Sequence, residues 1–572
     1  MNRLALFIAG ALLLLSCAPG NGRALSTPSE EQPAPKTLRI GMLVDREQAS
    51  PAMFGRSGSG SDSGSGSPSL EFFYTFHANL TVFDPSGAVV PQIAQKVPSL
   101  QDGDWKLLPA GGMEVTWKLR PGAQWHDATP LTADDFVFGY ELLTDPALPI
   151  SPGELANVSS VQATDPQTLV ISWRNQNVAG GINGFDGIPA APRHIFGELH
   201  AAGDPQAFMN SAYWNTQFIG LGPYRLGTWE HASYLEGIAF DGYFGGRPRI
   251  DRVVLQFLGN VNALIASLLS GDIDIIPLGA TLDVQPMIAV RDQWAASGAG
   301  TTLAVAKGVR SIYLQFRDPT LPFASDVRVR QAMLHALDRD SIVATLEAGL
   351  TQRADFFVPT GDPVLELAER RALPLFPFDP TRALQLLNEA GWSRGSDGVL
   401  RNGAGKTLQI SVATSAEGTN PEEAAIVASN WSSAGFAAEP APYAQTAQNR
   451  AQLANNFSST LIKPWNFAVS APGNLRTSQM GTQANAWGGN NYGGYANPDY
   501  DRLYGALAND LDPARRQEAL FRMIQLIDEQ LPLLPIFYVP QTMAFRTGVA
   551  GPGLTSPLQA GNAWNIATWD IR

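Results

Sequence analysis

The sequence predicts an α/β fold on three observations. Val253 to Phe257 and Ile273 to Pro277 are short apolar runs that read as buried strands, and they flank a helix containing Leu264 and Leu268. Asp379-Pro380 and Asp512-Pro513 each place an N-cap before a proline at the first helical position, which is how helices open. No period of about 20 to 50 residues recurs, so a solenoid is excluded.

At 572 residues, 44% hydrophobic and 16% charged, the chain can build roughly two or three domains with ordinary cores. Its net charge of -13 lacks the basic footprint that phosphate backbones demand, so nucleic acid is excluded as a partner. A single cysteine rules out an intramolecular disulfide.

In chain order, Arg3 precedes an apolar run from Leu4 to Leu15, too short to span a bilayer, which reads as a signal peptide over residues 1–17. Leu14-Leu15-Ser16-Cys17 has the form of a bacterial lipobox, so Cys17 is expected to carry a lipid anchor. Residues 18–36, rich in Pro, Ser, Gly and Glu, read as a flexible tether. The first strand is expected over Leu38 to Val44, and the Gly/Ser tract Gly55 to Ser67 reads as either a mobile lip or a surface insertion.

Val115, Trp117 and Leu119 alternate as in a strand that ends at Arg120-Pro121-Gly122. Thr132 three residues before Asp135 is a capping box, and Phe136, Tyr140 and Leu143 mark the helix stripe that follows. After Asp379-Pro380 a helix is expected to bury Ala383, Leu384 and Leu387 and to stop at Gly391. After Asp512-Pro513, Leu520, Met523, Ile524 and Ile527 have helical spacing.

Catalytic chemistry finds no footing. Gly391-Trp392-Ser393-Arg394-Gly395 matches G-x-S-x-G, but a helix precedes the serine where a nucleophile elbow needs a strand. Gly405-Lys406-Thr407 lacks the earlier glycine of a phosphate loop, because that position is Leu400. The six histidines show no ligand spacing, and neither a metal nor a cofactor is expected. His126 is expected to donate to a loop carbonyl.

The stretch Trp117 to Phe138, W-K-L-R-P-G-A-Q-W-H-D-A-T-P-L-T-A-D-D-F-V-F, resembles the signature of the extracellular solute-binding proteins of ABC importers, in the family of dipeptide, oligopeptide and nickel receptors. It departs mildly, with Ala128 where that family usually has glycine and Phe136 where valine is common. Further echoes follow in the family's order: Asn79 to Asp84 with Pro91 to Ala94, Pro192 to Ile195, Gly220 to Tyr224, Tyr243 to Pro248, Gly271 to Asp274, Asp326 to Asp340, and Ala390 to Trp392.

The resemblance implies a two-lobed periplasmic-binding-protein (Venus-flytrap) fold, in the large variant with an inserted subdomain. It implies lobe I from 37–78, 211–307 and 527–572, an insertion at 79–210, and lobe II at 308–526, with hinge strands near Val305 to Phe316 and Leu533 to Phe545. It also implies a monomeric, non-enzymatic receptor, lipid-anchored at the cell envelope, in the periplasm or on the outer face of the cytoplasmic membrane. Such a receptor would capture a solute, foremost a peptide, by hinge closure and pass it to permease subunits coupled to ATPase subunits. An oligosaccharide or other neutral solute is the alternative on the same fold, and a secreted hydrolase the alternative from another class.

Peptide-binding relatives carry G-W-x-x-D, a tryptophan wall and an aspartate for the peptide amino terminus. The resemblance sets Trp465 on that tryptophan, but no acid follows at the right spacing. Asn466 stands beside it, Lys463 could hold a carboxylate, and Trp487, Asn491 and Tyr492 add aromatic and amide groups. These six are the expected ligand-binding residues.

Overall fold

The computed structural model describes residues 35–43, 68–148, 153–184, 187–278, 284–358, 360, 362–446, 448–467, 471–553 and 561–572. Cys17, the signal peptide, all but the end of the tether and the Gly/Ser tract lie outside the described residues. Two long antiparallel strands, Gly300–Leu314 and Leu533–Arg546, run through the middle of a ten-stranded mixed sheet. On one side follow Ile275–Ile276, Thr37–Met42, Arg252–Phe257, Tyr234–Ala239 and Tyr224–Glu230. On the other follow Thr460–Asn466, Gln409–Ser415 and Ala437–Tyr443.

Each half of the sheet has its own core. Leu38, Ile40, Val253 and Leu255 are paired in register across parallel strands and pack with Phe72, Phe76, Trp214 and Met543. Val412, Ile462, Ile312 and Leu534 pack instead with Leu334, Leu387 and Trp431. The two long strands serve both cores, since Leu303 and Val305 pack against the first while Ile312 and Leu314 belong to the second. The changeover coincides with register shifts at Ala306/Gly308 and Arg310/Ser311. The expected hinge strands thus pair with each other, and the first begins five residues earlier than its sequence suggests.

A separate four-stranded sheet, in the order Trp105–Leu107, Met113–Lys118, Thr168–Trp173 and Val158–Asp165, surrounds a third core with Trp117, Trp125 and Phe136. The helix Ala133–Thr144 closes on it, and the Asp135 carboxylate accepts from the Thr132 N–H at 2.9 Å, as a capping box requires. Burial raises the Asp135 pKa, against the pull of the Thr132 and Arg193 N–H groups and the Trp125 indole.

The adjoining loop is stitched by His126. Its Nε2 donates to the Gly222 carbonyl and its Nδ1 accepts from the Gly220 N–H, both at 3.0 Å, which fixes a neutral tautomer. Burial first of all draws its pKa down to about 4, consistent with that role. Gly220 and Gly222 are required here because a Cβ at either would strike the backbone of Phe76 and its neighbours, at 1.9 Å and 2.4 Å.

The helix Pro380–Glu389 begins at Asp379, whose side chain accepts from the Arg382 N–H, and ends before Gly391 at φ +85°. Leu386 is buried and Leu384 only half-buried, so the inward stripe is rotated from the expected one. The helix Pro513–Gln530 buries Met523, Ile524 and Ile527 as expected. The strand expected over Ile273 to Pro277 shrinks to Ile275–Ile276, which bridge Thr37–Met42 and Leu533–Arg546.

Ala128 lies at φ +69°, left-handed backbone that favours glycine. Ala128→Gly is therefore expected to stabilise the fold by about 0.5 kcal/mol, the relieved strain being partly offset by added freedom in the unfolded chain. Urea unfolding measures the difference, and a loss of stability would contradict the strain.

Asp528 and Asp355 line a cavity of about 10 Å³ beside Phe356 and Leu531, and one Asp528 oxygen has no hydrogen-bond partner among the described residues. Burial, then the charges of Glu529 and Asp355, push the Asp528 pKa from 3.8 up to about 7. Within this window the folded state holds the extra proton. The contribution of Asp528 is full below the unfolded value and is lost as pH rises through about 7. Asp528→Asn is expected to raise the melting temperature at pH 8, by up to the order of 3 kcal/mol in stability, with the advantage shrinking towards pH 5. Equal differences at both pH values would contradict the assignment.

Candidate functional site

Beyond the register shift the strand Gly300–Leu314 pairs with Thr460–Asn466, with Gly308 opposite Asn466, Val309 opposite Trp465 and Ser311 opposite Lys463. Residues 461, 463 and 465 share one face by strand alternation, together with 309, 311 and 313 across the ladder. This face forms a fourth core with Leu475, Tyr495, Tyr500 and Tyr538.

Trp465 is only 2% exposed and meets Phe357 edge-on at 5.7 Å. Asn466, one step along, is exposed. Lys463 is half-buried, with Nζ donating to the Tyr492 hydroxyl at 3.1 Å and lying 4.2 Å from the ring centroid. The Tyr492 hydroxyl donates onward to Asn490, and its ring meets Tyr313 at 5.2 Å. Lys463 and Tyr492, 29 residues apart in the chain, are thus brought together, and Tyr313 joins them.

Asn491 and Trp487 are placed differently. Asn491 is fully buried, its amide nitrogen donating to the carbonyls of Leu475, Arg476 and Tyr495 and its oxygen accepting from the Tyr495 N–H. The side chain is spent on holding the loop. Trp487 is half-buried at φ +62°, and among the described residues no ring contact joins it to Trp465.

Arg317 is not announced by the sequence. Its guanidinium donates to the carbonyls of Asn455, Gly481, Asn491 and Tyr492 and to the side chain of Asn455, so it fastens the loop carrying Asn491 and Tyr492 to the strand. Burial lowers its pKa, and no carboxylate pairs with it among the described residues. Its partners lie up to 175 residues away, so no local pattern reveals it.

Lys307 is equally silent in the sequence. It is the residue left over at the Ala306/Gly308 register shift, and its carbonyl accepts from the Phe467 N–H at 2.8 Å, directly after Trp465 and Asn466. Burial lowers the pKa of its half-buried ammonium. The two catalytic look-alikes carry no such surroundings: Ser393 is exposed on a two-stranded hairpin with Leu400–Asn402, and Lys406 is exposed at the turn beyond it.

Residues 89–487 match the family model of bacterial extracellular solute-binding proteins, family 5 Middle. The chain is 27% identical to the Bacillus subtilis oligopeptide-binding protein AppA over 426 residues, 73% of this chain and 71% of that one. A Brucella ovis protein named ABC transporter peptide-binding protein is 27% identical over 285 residues, 49% of this chain; the match spans about half of that relative's length, 50%. The oligopeptide binding protein of Thermus thermophilus, solved with a pentapeptide, superposes with a TM-score of 0.69 at 21% identity, covering 94% of this chain and 96% of that one. The fold is therefore the two-lobed periplasmic-binding fold with its additional sheet. The family match takes in the strand, loop and helix around His126 as well as Lys463, Trp465 and Trp487, and by it the chain belongs to the bacterial extracellular solute-binding proteins of family 5.

Proposed function

We propose that this protein is the receptor component of an ABC importer, capturing a peptide between its lobes and presenting it to a membrane permease. One observation carries the reading: two separate cores share a single pair of long strands whose register breaks where the cores change over. Such a ladder lets two rigid bodies rotate while their backbone hydrogen bonds persist, which is hinge closure. In this reading 79–210 is the insertion, 211–307 completes lobe I with 37–78 and the end of the chain, and lobe II begins at 308 and takes in the first half of Leu533–Arg546, because Leu534 and Phe537 pack in the second core and Met543 in the first.

A peptide suits the site because its backbone amides can be met by strand-like hydrogen bonds. In this reading Lys463 and Tyr492 face the solute, Trp465 is packed behind them in the fourth core and Asn466 is exposed one step along the strand, while Trp487 and Asn491 belong to the loop that frames the site. The names of the relatives support peptide over sugar. A sugar-binding pair of tryptophans gains no support from the separation of Trp465 and Trp487.

Closure is expected to favour the liganded state because the solute gains contacts with the second lobe only there. Small-angle scattering of the whole chain should show a smaller radius of gyration with a saturating pool of short peptides than without it. An unchanged radius, with binding shown independently, would overturn the mechanism. Among the described residues no helix is long and apolar enough to cross a membrane, and we assign the anchor to a lipid on Cys17. Cys17→Ser is expected to move the protein from the membrane fraction to the soluble fraction, and persistence in the membrane would refute the assignment.

A further inference from the structure

Asp528 is placed against the ordinary electrostatics of its helix. It stands in the last turn of Pro513–Gln530, where the helix dipole is negative and disfavours a carboxylate. It is only 5% exposed, and one of its oxygens has no hydrogen-bond partner among the described residues. Its neighbour Glu529 shares the turn but is exposed and accepts from the Gln525 amide, while Glu518 pairs with Arg371 and Arg522. A buried carboxylate with neither bond nor counter-charge destabilises a fold.

The charges around it do not balance it. Asp355 lines the same cavity, and the arginines nearest that acid are committed to it, Arg339 at 3.0 Å and Arg353 at 3.4 Å. Arg353 is shared with Asp340, and Arg339 spends its other N–H groups on the carbonyls of Ala354 and Phe376. Arg330, at the helix end, donates to the carbonyls of Gln530 and Phe323. Asp340, Asp355, Asp528 and Glu529 therefore outnumber these arginines, and the charges that act on Asp528 are the negative ones of Glu529 and Asp355.

The cavity of about 10 Å³ has room for one particle the size of a water molecule. A water could donate to both carboxylates but would leave their charge uncompensated. A cation of the same size compensates it. A divalent ion needs about six oxygen ligands, whereas the rest of this lining is apolar, Phe356, Phe376 and Ile524 among it. Among the described residues no group of three or more His, Cys, Asp or Glu side chains is gathered for a metal ion. The charge of the occupant is thus one.

We propose that the cavity lined by Asp528 and Asp355 is a binding site for a monovalent cation of the size of water, such as potassium or ammonium. Phe357, in the cavity wall, meets Trp465 edge-on at 5.7 Å, and Arg353, two residues before Asp355, bridges to Phe537 of the second long strand. The cation accordingly joins the helix Pro513–Gln530 to the segment that backs the candidate ligand face. The site stands independently of the receptor reading, since no part of it touches the solute.

The test follows the melting temperature of the full chain at pH 8 in potassium, ammonium or tetramethylammonium chloride at one ionic strength, so that screening is constant. Tetramethylammonium is too large for the cavity and serves as the reference. Potassium or ammonium should raise the melting temperature by about 1 °C or more at tenfold excess over the dissociation constant, rising further with the logarithm of concentration. Asp528→Asn should abolish that increment while melting no lower than wild type in tetramethylammonium, which shows that the variant folds. Crystals soaked in a thallium(I) salt, a mimic of potassium, should show an anomalous peak in the cavity. Equal melting temperatures in all three salts would mean that water alone occupies the cavity and would overturn the proposal. An increment that survives Asp528→Asn would place the cation elsewhere and overturn it as well, as would a thallium peak outside the cavity with none inside.

Discussion

The backbone ladder between Gly300–Leu314 and Leu533–Arg546 is the constraint on which the rest of this structure depends. Its hydrogen bonds can be broken only by leaving buried donors and acceptors unpaired, so the two strands stay joined whatever the bodies at their ends do. Those bodies are separate cores, each closed by its own helices, and neither can be assembled without a half of both strands. Freedom is left where the ladder is irregular, at the two register shifts. The connectivity follows from this. Ile275–Ile276 and Thr460–Asn466 flank the long pair on opposite sides, so chain segments far apart in sequence are hung on one shared element.

Features encoded within a few residues are legible in the sequence alone. The box of Thr132 and Asp135, the openings at Asp379 and Asp512 and the stop at Gly391 each depend on side chains or backbone that bond within their own turn. His126 is legible to the extent that a donor in a tight loop needs a carbonyl, but its partners, Gly220 and Gly222, come from a different motif more than 90 residues on. The stripe after Asp379 is misplaced in the sequence reading because Leu384 and Leu386 are equally apolar and only the packing of the second core chooses between them. Ile273 is as apolar as Ile275 but packs in a small core against the helix containing Leu264, which is why the strand is shorter than the run.

The candidate site is less legible because its composition says nothing of direction. Asn491 and Asn466 are the same residue type beside aromatics, yet one is fully buried with its amide consumed by four backbone bonds and the other is exposed. The difference is set by Arg317, which gathers carbonyls from three separate segments and forces the loop around Asn491 to turn inward. A cation bonded to carbonyls leaves no charge pattern in the sequence. Ala128 shows the opposite case: its departure from the expected glycine is visible in the sequence, while its meaning, a left-handed backbone, is visible only in the fold.

The break in the shared ladder and the strand of the candidate site meet on one short segment. A bulge is needed to let the shared strands change cores, and a bulge leaves one residue outside the regular pairing. The residue in that place is Lys307, whose carbonyl accepts from the Phe467 N–H and so ties the bulge to the end of the strand that carries Trp465. Rotation about the bulge would therefore carry the strand of Lys463 and Trp465 with it, because the tie between them is made by backbone.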